Sequence, residues 1–309
     1  MRYAIFSDIH GNAYAFEAAL RDADAQGADN IFVIGDCTNS FPWGDRVADL
    51  MRSRSVTAVH GNGEGYLIDM LTRDVRTMKD EQFKPVYWAC RTLSRTNYDY
   101  LTALPEHAVV TCGGDAIRLA HASHVFYRTP RPQYFSSAYI RELYRDAPFT
   151  HADYITKAKT SVLSDPGALA DIAALPEGVH LFGHNHLQFH MEHEGRLFIN
   201  PGSCGEALDY DASAAYTILE YANGRRNVIE RRVPYNTEAV IAKLHSSGFA
   251  AYAPVWSDVL TLELRTGCDY FSAFVRLLSV TNAAHGQSRY PVSGEVWRAA
   301  VRAWNPGAV

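Results

Sequence analysis

A chain of 309 residues with 47% hydrophobic and 20% charged residues can bury a sizeable core, and its mix rules out a disordered or fibrous protein. A formal charge of −5 argues against general affinity for nucleic acid or anionic lipid, and no run of about 18 apolar residues is present to span a bilayer. The five cysteines are scattered without a CxxC pair, and MRYAIFSD lacks the apolar stretch of a signal peptide, so a reducing cytoplasm without disulfides or thiolate zinc is expected.

In chain order, residues 3–6 read as a first apolar strand. Asn12 is expected to cap a helix whose stripe is Ala15, Phe16, Ala19, Leu20 and Ala23, closed by Gly27. Residues 31–34 form a second strand, 46–52 a helix and 56–59 a third strand. This alternation with continuous apolar strands predicts a sheet covered on both faces. Residues 66–104 read as helical, and strands return at 108–111 and 116–120. Residues 124–175 read as an aromatic, basic insertion with Tyr127, Arg128, Arg131, Tyr134, Tyr139, Tyr144 and Arg145. The pattern is β again over 179–232, then mainly helical, at 237–247, around 270–281 and at 295–304. The expected division is an α/β domain over 1–235, with the insertion, and a helical extension over 236–309 packed on it.

Five polar blocks each follow directly on an apolar run: SDIHGN after AIF, GD after VI, HGN after TAV, HAS after RLA and GHNH after HLF. Sites in α/β sheets form outside the carboxyl ends of strands, so these blocks can converge although they span residues 8 to 186. They supply two carboxylates (Asp8, Asp36), one amide (Asn62) and four imidazoles (His10, His121, His184, His186). Oxygen and imidazole donors without thiolate suit Mn, Fe, Zn, Ni or Co. Seven donors exceed one tetrahedral site and suit two octahedral ions sharing a carboxylate. Taken singly, each block has a plainer reading as a cap, a turn or a core histidine. Their conjunction, in order and at strand ends, is what points to metal.

The order DxH, GD, GN, H, GHxH resembles the calcineurin-like metallophosphoesterase superfamily. The match runs over roughly residues 1–235, through Asp8-Ile9-His10, Gly35-Asp36, Gly61-Asn62, His121 and Gly183-His184-Asn185-His186. Gly195-Arg196-Leu197-Phe198-Ile199-Asn200-Pro201-Gly202-Ser203 is similar to a segment of its small bacterial phosphodiesterase-like branch. The resemblance implies a four-layer αββα sandwich with two packed mixed sheets. It implies a first metal on Asp8, His10 and His186, a second on Asn62, His121 and His184, and Asp36 bridging, with Mn or Fe favoured. Asp36, Asn62 and His121 would be catalytic, and the ions would share a hydroxide for in-line attack on phosphorus. The implied substrate is a small phosphate ester or a nucleotide phosphoanhydride. A protein serine/threonine phosphatase or a non-catalytic scaffold are alternatives on the same fold. No nucleic acid or membrane partner is expected, and the oligomeric state stays open.

Asn12, Tyr127, Arg128 and Arg131 are candidate substrate contacts. Many members have a histidine directly after GN, thought to protonate the leaving group, and this chain has Gly63 followed by Glu64. The ligands are untouched by that departure, but substrates with stabilised leaving groups are expected to fare best. His60 and His124 could substitute, although each reads better as a structural neighbour. Trp256, Trp297 and Trp304 in the C-terminal helices are expected to pack a core, the alternatives being to shield the cleft or make a dimer.

Overall fold

Alternation of side chains along the strands sets the layers. In β1 (Arg2–Phe6), Tyr3 and Ile5 point into one core, and Ala4 and Phe6 into another. In β2 (Asn30–Ile34), Phe32 and Ile34 join the first core and Val33 the second. In β3 (Thr57–Val59), Val59 and Ala58 divide in the same way. A period of two on a strand buried on both faces needs this pair of cores. The computed structural model describes residues 1–127, 134–136, 139 and 150–308, without the side chains of Tyr127 and Ala308.

The first sheet has the order β10-β9-β1-β2-β3. Strands β1, β2 and β3 are parallel, while β9 (Ala214–Ala222) and β10 (Arg225–Val233) form an antiparallel hairpin along β1. The second sheet, β4-β5-β6-β8-β7, has parallel β5 (Asp115–Ala120), β6 (Gly178–Leu181) and β8 (Arg196–Pro201). It is flanked by antiparallel β4 (His107–Cys112) and β7 (Gln188–His193). Ile117, Leu119, Val179, Leu181, Leu197 and Ile199 meet Tyr3, Ile5, Phe32 and Ile34 between the sheets.

Helices cover the outer faces, which gives the expected αββα sandwich. Over the first sheet lie α1 (Ala13–Ala25), α2 (Gly44–Ser53), α3 (Asn62–Met70), α4 (Lys84–Thr92) and α5 (Arg95–Thr102). The α1 stripe is the expected one, and Asn12 Oδ1 accepts from Ala15 N at 3.2 Å. Over the second lie α6 (His124–Tyr127), α7 (His151–Leu163) and α8 (Pro166–Ala174). Arg128, Arg131, Tyr144 and Arg145 fall outside the described residues.

After β10 come α9 (Thr237–Ser246), α10 (Gly248–Tyr252), α11 (Pro254–Thr266), α12 (Tyr270–Ala284) and α13 (Gly294–Ala303). They share a core in which Trp256, Phe274 and Trp297 pack ring against ring, with Trp304 on Phe274. That core also takes in Phe41 and rests on Tyr14, Trp43 and Trp88. Helix α11 is absent from the sequence expectation. It begins on Pro254, where a first-turn proline costs nothing, and ends on left-handed Gly267. No helix among the described residues is long and apolar enough to cross a membrane, and all five cysteines are free.

Candidate metal centre

Each candidate ligand follows closely on a strand: Asp8 and His10 after β1, Asp36 after β2, Asn62 at the start of α3 after β3, His121 after β5, and His184 and His186 after β6. Asp8, His10, Asp36, His184 and His186 all have positive φ, between 51° and 72°. Such backbone costs a non-glycine residue on the order of 1 kcal/mol or more and persists only where the surroundings hold it. Here the turns are laced to one another. Asp8 N donates to Gly35 O, His10 N to Asp36 O and Gly183 N to His121 O, at 2.8–3.1 Å. His184 N donates to the Asp8 carboxylate. A Cβ at Gly61 would collide with the Asp36 side chain, so only glycine lets the third turn approach.

The side chains form two groups, Asp8 with His10 and His186, and Asp36 with His121 and His184, with ligand atoms in each group within 4.8 Å of one another. Asp36 Oδ2 faces both, 3.6 Å from His10 Nε2 and 3.4 Å from His121 Nε2. Asn62 Oδ1 lies 3.2 Å from His121 Nε2.

The hydrogen bonds behind these rings test whether a metal fits. Nδ1 of His121 and of His186 lies 2.7 and 2.6 Å from the carbonyls of Ile34 and Glu206. A carbonyl only accepts, so Nδ1 carries the hydrogen and Nε2 of the neutral ring presents a lone pair. Those lone pairs face Asp36 Oδ2 at 3.4 Å and Asp8 Oδ1 at 3.5 Å, and His10 and His186 oppose their Nε2 atoms at 3.3 Å. Acceptors turned on acceptors repel unless a cation or proton lies among them. Imidazole, carboxylate and amide donors, oriented by carbonyls behind them, fit divalent transition ions.

The electrostatics agree. Burial pulls the His121 imidazole down, but Asp36 beside it outweighs burial and sets it at about 10. Burial likewise opposes His186, yet Asp8 and Glu206 push it up. His184 goes down through burial and the neighbouring His121. Burial would raise Asp36, but His121 and His10 hold it far below the usual carboxylate range. An ion and a proton compete for the same nitrogens.

Two carboxylates missed in the sequence support the site. Glu64 is fully buried and accepts from Asp36 N, Cys37 N and Gly61 N at 2.9–3.0 Å. Burial and Asp36 push it up, and it serves the backbone rather than the cleft. Glu206 places Oε2 3.4 Å from His10 Nδ1 while its carbonyl takes the His186 hydrogen. Its segment braces the first turn: Cys204 N donates to Ser7 O, and Gly205 N and Ser203 Oγ to Asp8 O. The NPGSCGE stretch after β8 was the available signal, a carboxylate set among turn residues behind a strand.

A cavity of about 540 Å³ opens over the centre, floored by His10, Asp36, Asn62, His184 and His186. Asn12 does not line it. Its side chain is buried, caps α1 and donates to Gly205 O at 2.8 Å, which corrects the expectation of a substrate contact. His60 turns Nδ1 to Gly61 O, and His124 lines a separate hollow with His107 and His180, so neither enters the cavity. The Arg128 and Arg131 contacts, and that of the Tyr127 side chain, lie outside the described residues.

Residues 1–224 match the model of the calcineurin-like phosphoesterase superfamily domain. An uncharacterised protein of Methanocaldococcus jannaschii is 23% identical over 244 residues, 78% of this chain and 90% of that protein. The crystal structure of a metallophosphoesterase from Sphaerobacter thermophilus superposes with a TM-score of 0.59 at 23% identity, over 86% of this chain and 100% of that one. A hypothetical protein from Pyrococcus horikoshii OT3 has a TM-score of 0.59 at 14% identity, covering 86% and 98%. The two structures share the fold.

Proposed function

The chain belongs to the calcineurin-like phosphoesterase superfamily, and we propose that it is a two-metal phosphohydrolase acting on a phosphoester or phosphoanhydride. One observation carries the two-metal reading: a single oxygen, Asp36 Oδ2, faces a histidine of each ligand group at 3.6 and 3.4 Å. A pair of divalent ions, when bound, supplies Lewis acidity to the phosphoryl oxygens and lowers the pKa of a water nucleophile.

The protein's part is to hold and orient. Asp8, His10 and His186 would hold one ion and Asn62, His121 and His184 the other, with Asp36 between. Ile34 O and Glu206 O keep His121 and His186 in the tautomer that presents Nε2. Gly63 N donates to Asp36 Oδ1 at 2.6 Å, which leaves Oδ2 for the centre. Where relatives carry the extra histidine, Asn39 closes over Gly63, and a Cβ there would meet its Nδ2 at 3.0 Å. A leaving group thus gains no imidazole proton from that side, and hydrolysis should slow steeply as leaving-group pKa rises in a series of aryl and alkyl phosphodiesters.

The test of the centre is Asp36→Asn. Elemental analysis of reconstituted protein should find about two ions per chain, and fewer than one in the variant, with turnover of an Mn²⁺-dependent aryl phosphate reduced at least a hundredfold. Near-normal metal content and activity in Asp36→Asn would sink the bridging role.

A further inference from the structure

Beyond the ligands, the cavity lining includes aromatic and aliphatic side chains from two separated parts of the chain. Tyr66 and Phe83 lie together, ring centroids 5.9 Å apart. Trp256 and Phe271, from α11 and α12, form a second pair at 5.4 Å, and Val259, Leu260 and Val275 also line the cavity. Trp256 spends its one donor on Glu81 O, 2.9 Å from Nε1, so its indole offers the cavity only carbon surface. Tyr66 and Phe271 remain 39% and 42% exposed, so their rings are open to a ligand in the cavity.

Charge distinguishes what that ligand is. Among the described residues lining the cavity there is no lysine or arginine, whereas Glu206 and Asp269 line it beyond the ligands. One phosphoryl group is matched by the ions at the floor. Against these described residues, each further phosphate of a polyphosphate chain would meet aromatic rings and carboxylates.

We propose, resting on the phosphohydrolase reading, that the substrate is a phosphoester with a single phosphoryl group whose apolar organic part lies against Tyr66, Phe83, Trp256 and Phe271. The cavity volume falls in the range that takes an organic ligand of that kind.

The experiment uses the full chain loaded with Mn²⁺. Phenyl and 1-naphthyl phosphate have leaving groups of similar acidity, so their comparison isolates the size of the apolar part. KM for the naphthyl ester should be about fivefold lower, from the added apolar area buried. Calorimetric titration with phenylphosphonate and naphthylphosphonate should show the same ratio without turnover. Phe271→Ala, at a half-exposed position, should remove most of that ratio while metal content is kept. A dinucleoside tetraphosphate should have the lowest kcat/KM of the set. Equal affinities for the two phosphonates, or a tetraphosphate turned over better than the naphthyl ester, would overturn the inference and leave the hydrolase standing. Tight, ring-size-dependent phosphonate binding with no turnover of any ester would uphold the apolar cavity and overturn the hydrolase.

Discussion

Glu64 is a buried carboxylate that three backbone N–H groups bond: those of Asp36 and Gly61 to Oε2, and that of Cys37 to Oε1. Glutamine cannot copy this, because one of its two terminal atoms is an NH₂ that must face a backbone donor. Glu64→Gln should therefore cost about 1–3 kcal/mol, or roughly 2–6 °C in melting temperature for a chain of this size. Because Asp36 N is one of the three donors, Mn²⁺ affinity measured by calorimetry should fall as well. An unchanged melting point and affinity would show the carboxylate to be idle. The candidate ligands were legible because each is a short polar block directly behind an apolar run. Glu64 was visible only as an acid after Gly63, since its burial arises from turns at 36 and 61 folding over it. Asn12 was misread in the opposite direction: the same residue that signals a helix cap is consumed by being one.

Among the elements, the five strand ends were readable and helix α11, which lines the cavity, was not. Its Glu263 is buried against Glu206, the residue behind His10. Oε2 of each lacks a conventional hydrogen-bond partner among the described residues, and a proton held between two carboxyl groups satisfies both. Burial, then Glu206 and Asp269, push the Glu263 carboxyl well above its ordinary value. The sign follows from proton linkage. A carboxyl raised on folding binds its proton more tightly in the native state, so it stabilises the fold at acid pH, and that contribution is lost as pH climbs towards its folded value. Glu263→Gln keeps Oε1 for Phe271 N and turns a permanent donor on Glu206. Its melting temperature should exceed the unsubstituted protein's by about 2 °C or more at pH 8, for a gain of about 1 kcal/mol, with the difference narrowing towards pH 5. A constant difference across that range would mean Glu263 does not titrate on folding. None of this was legible, because residues 206 and 263 are joined only by the tertiary packing of α11.

At the scale of the whole molecule, the candidate centre is shared between two sheets. Asp8, His10, Asp36 and Asn62 come from the ends of β1, β2 and β3, and His121, His184 and His186 from the ends of β5 and β6. Between the sheets lies an apolar core, a contact without strong directionality, and polar pairs such as Tyr221–Asp115, Arg232–Gln188 and His190–Glu230 link β9 and β10 to β5 and β7. Ions held by both would fasten the strand ends across that seam and relieve the opposed acceptors at 3.3–3.5 Å. Anything that binds only the native state stabilises it by mass action, about 2.7 kcal/mol per site at a hundredfold excess over Kd. Two sites should therefore make the melting temperature rise with Mn²⁺ concentration and fall by roughly 5–10 °C after chelation. Amide exchange should locate the effect, with protection lost on chelation at the carboxyl ends of β1, β2, β5 and β6 and kept in the α9–α13 core. In Asp36→Asn most of the Mn²⁺ dependence should vanish, because the one side chain facing both groups is impaired. A melting temperature indifferent to chelator and Mn²⁺, or protection changes confined to one sheet, would show that the ions do not join the two halves of the sandwich.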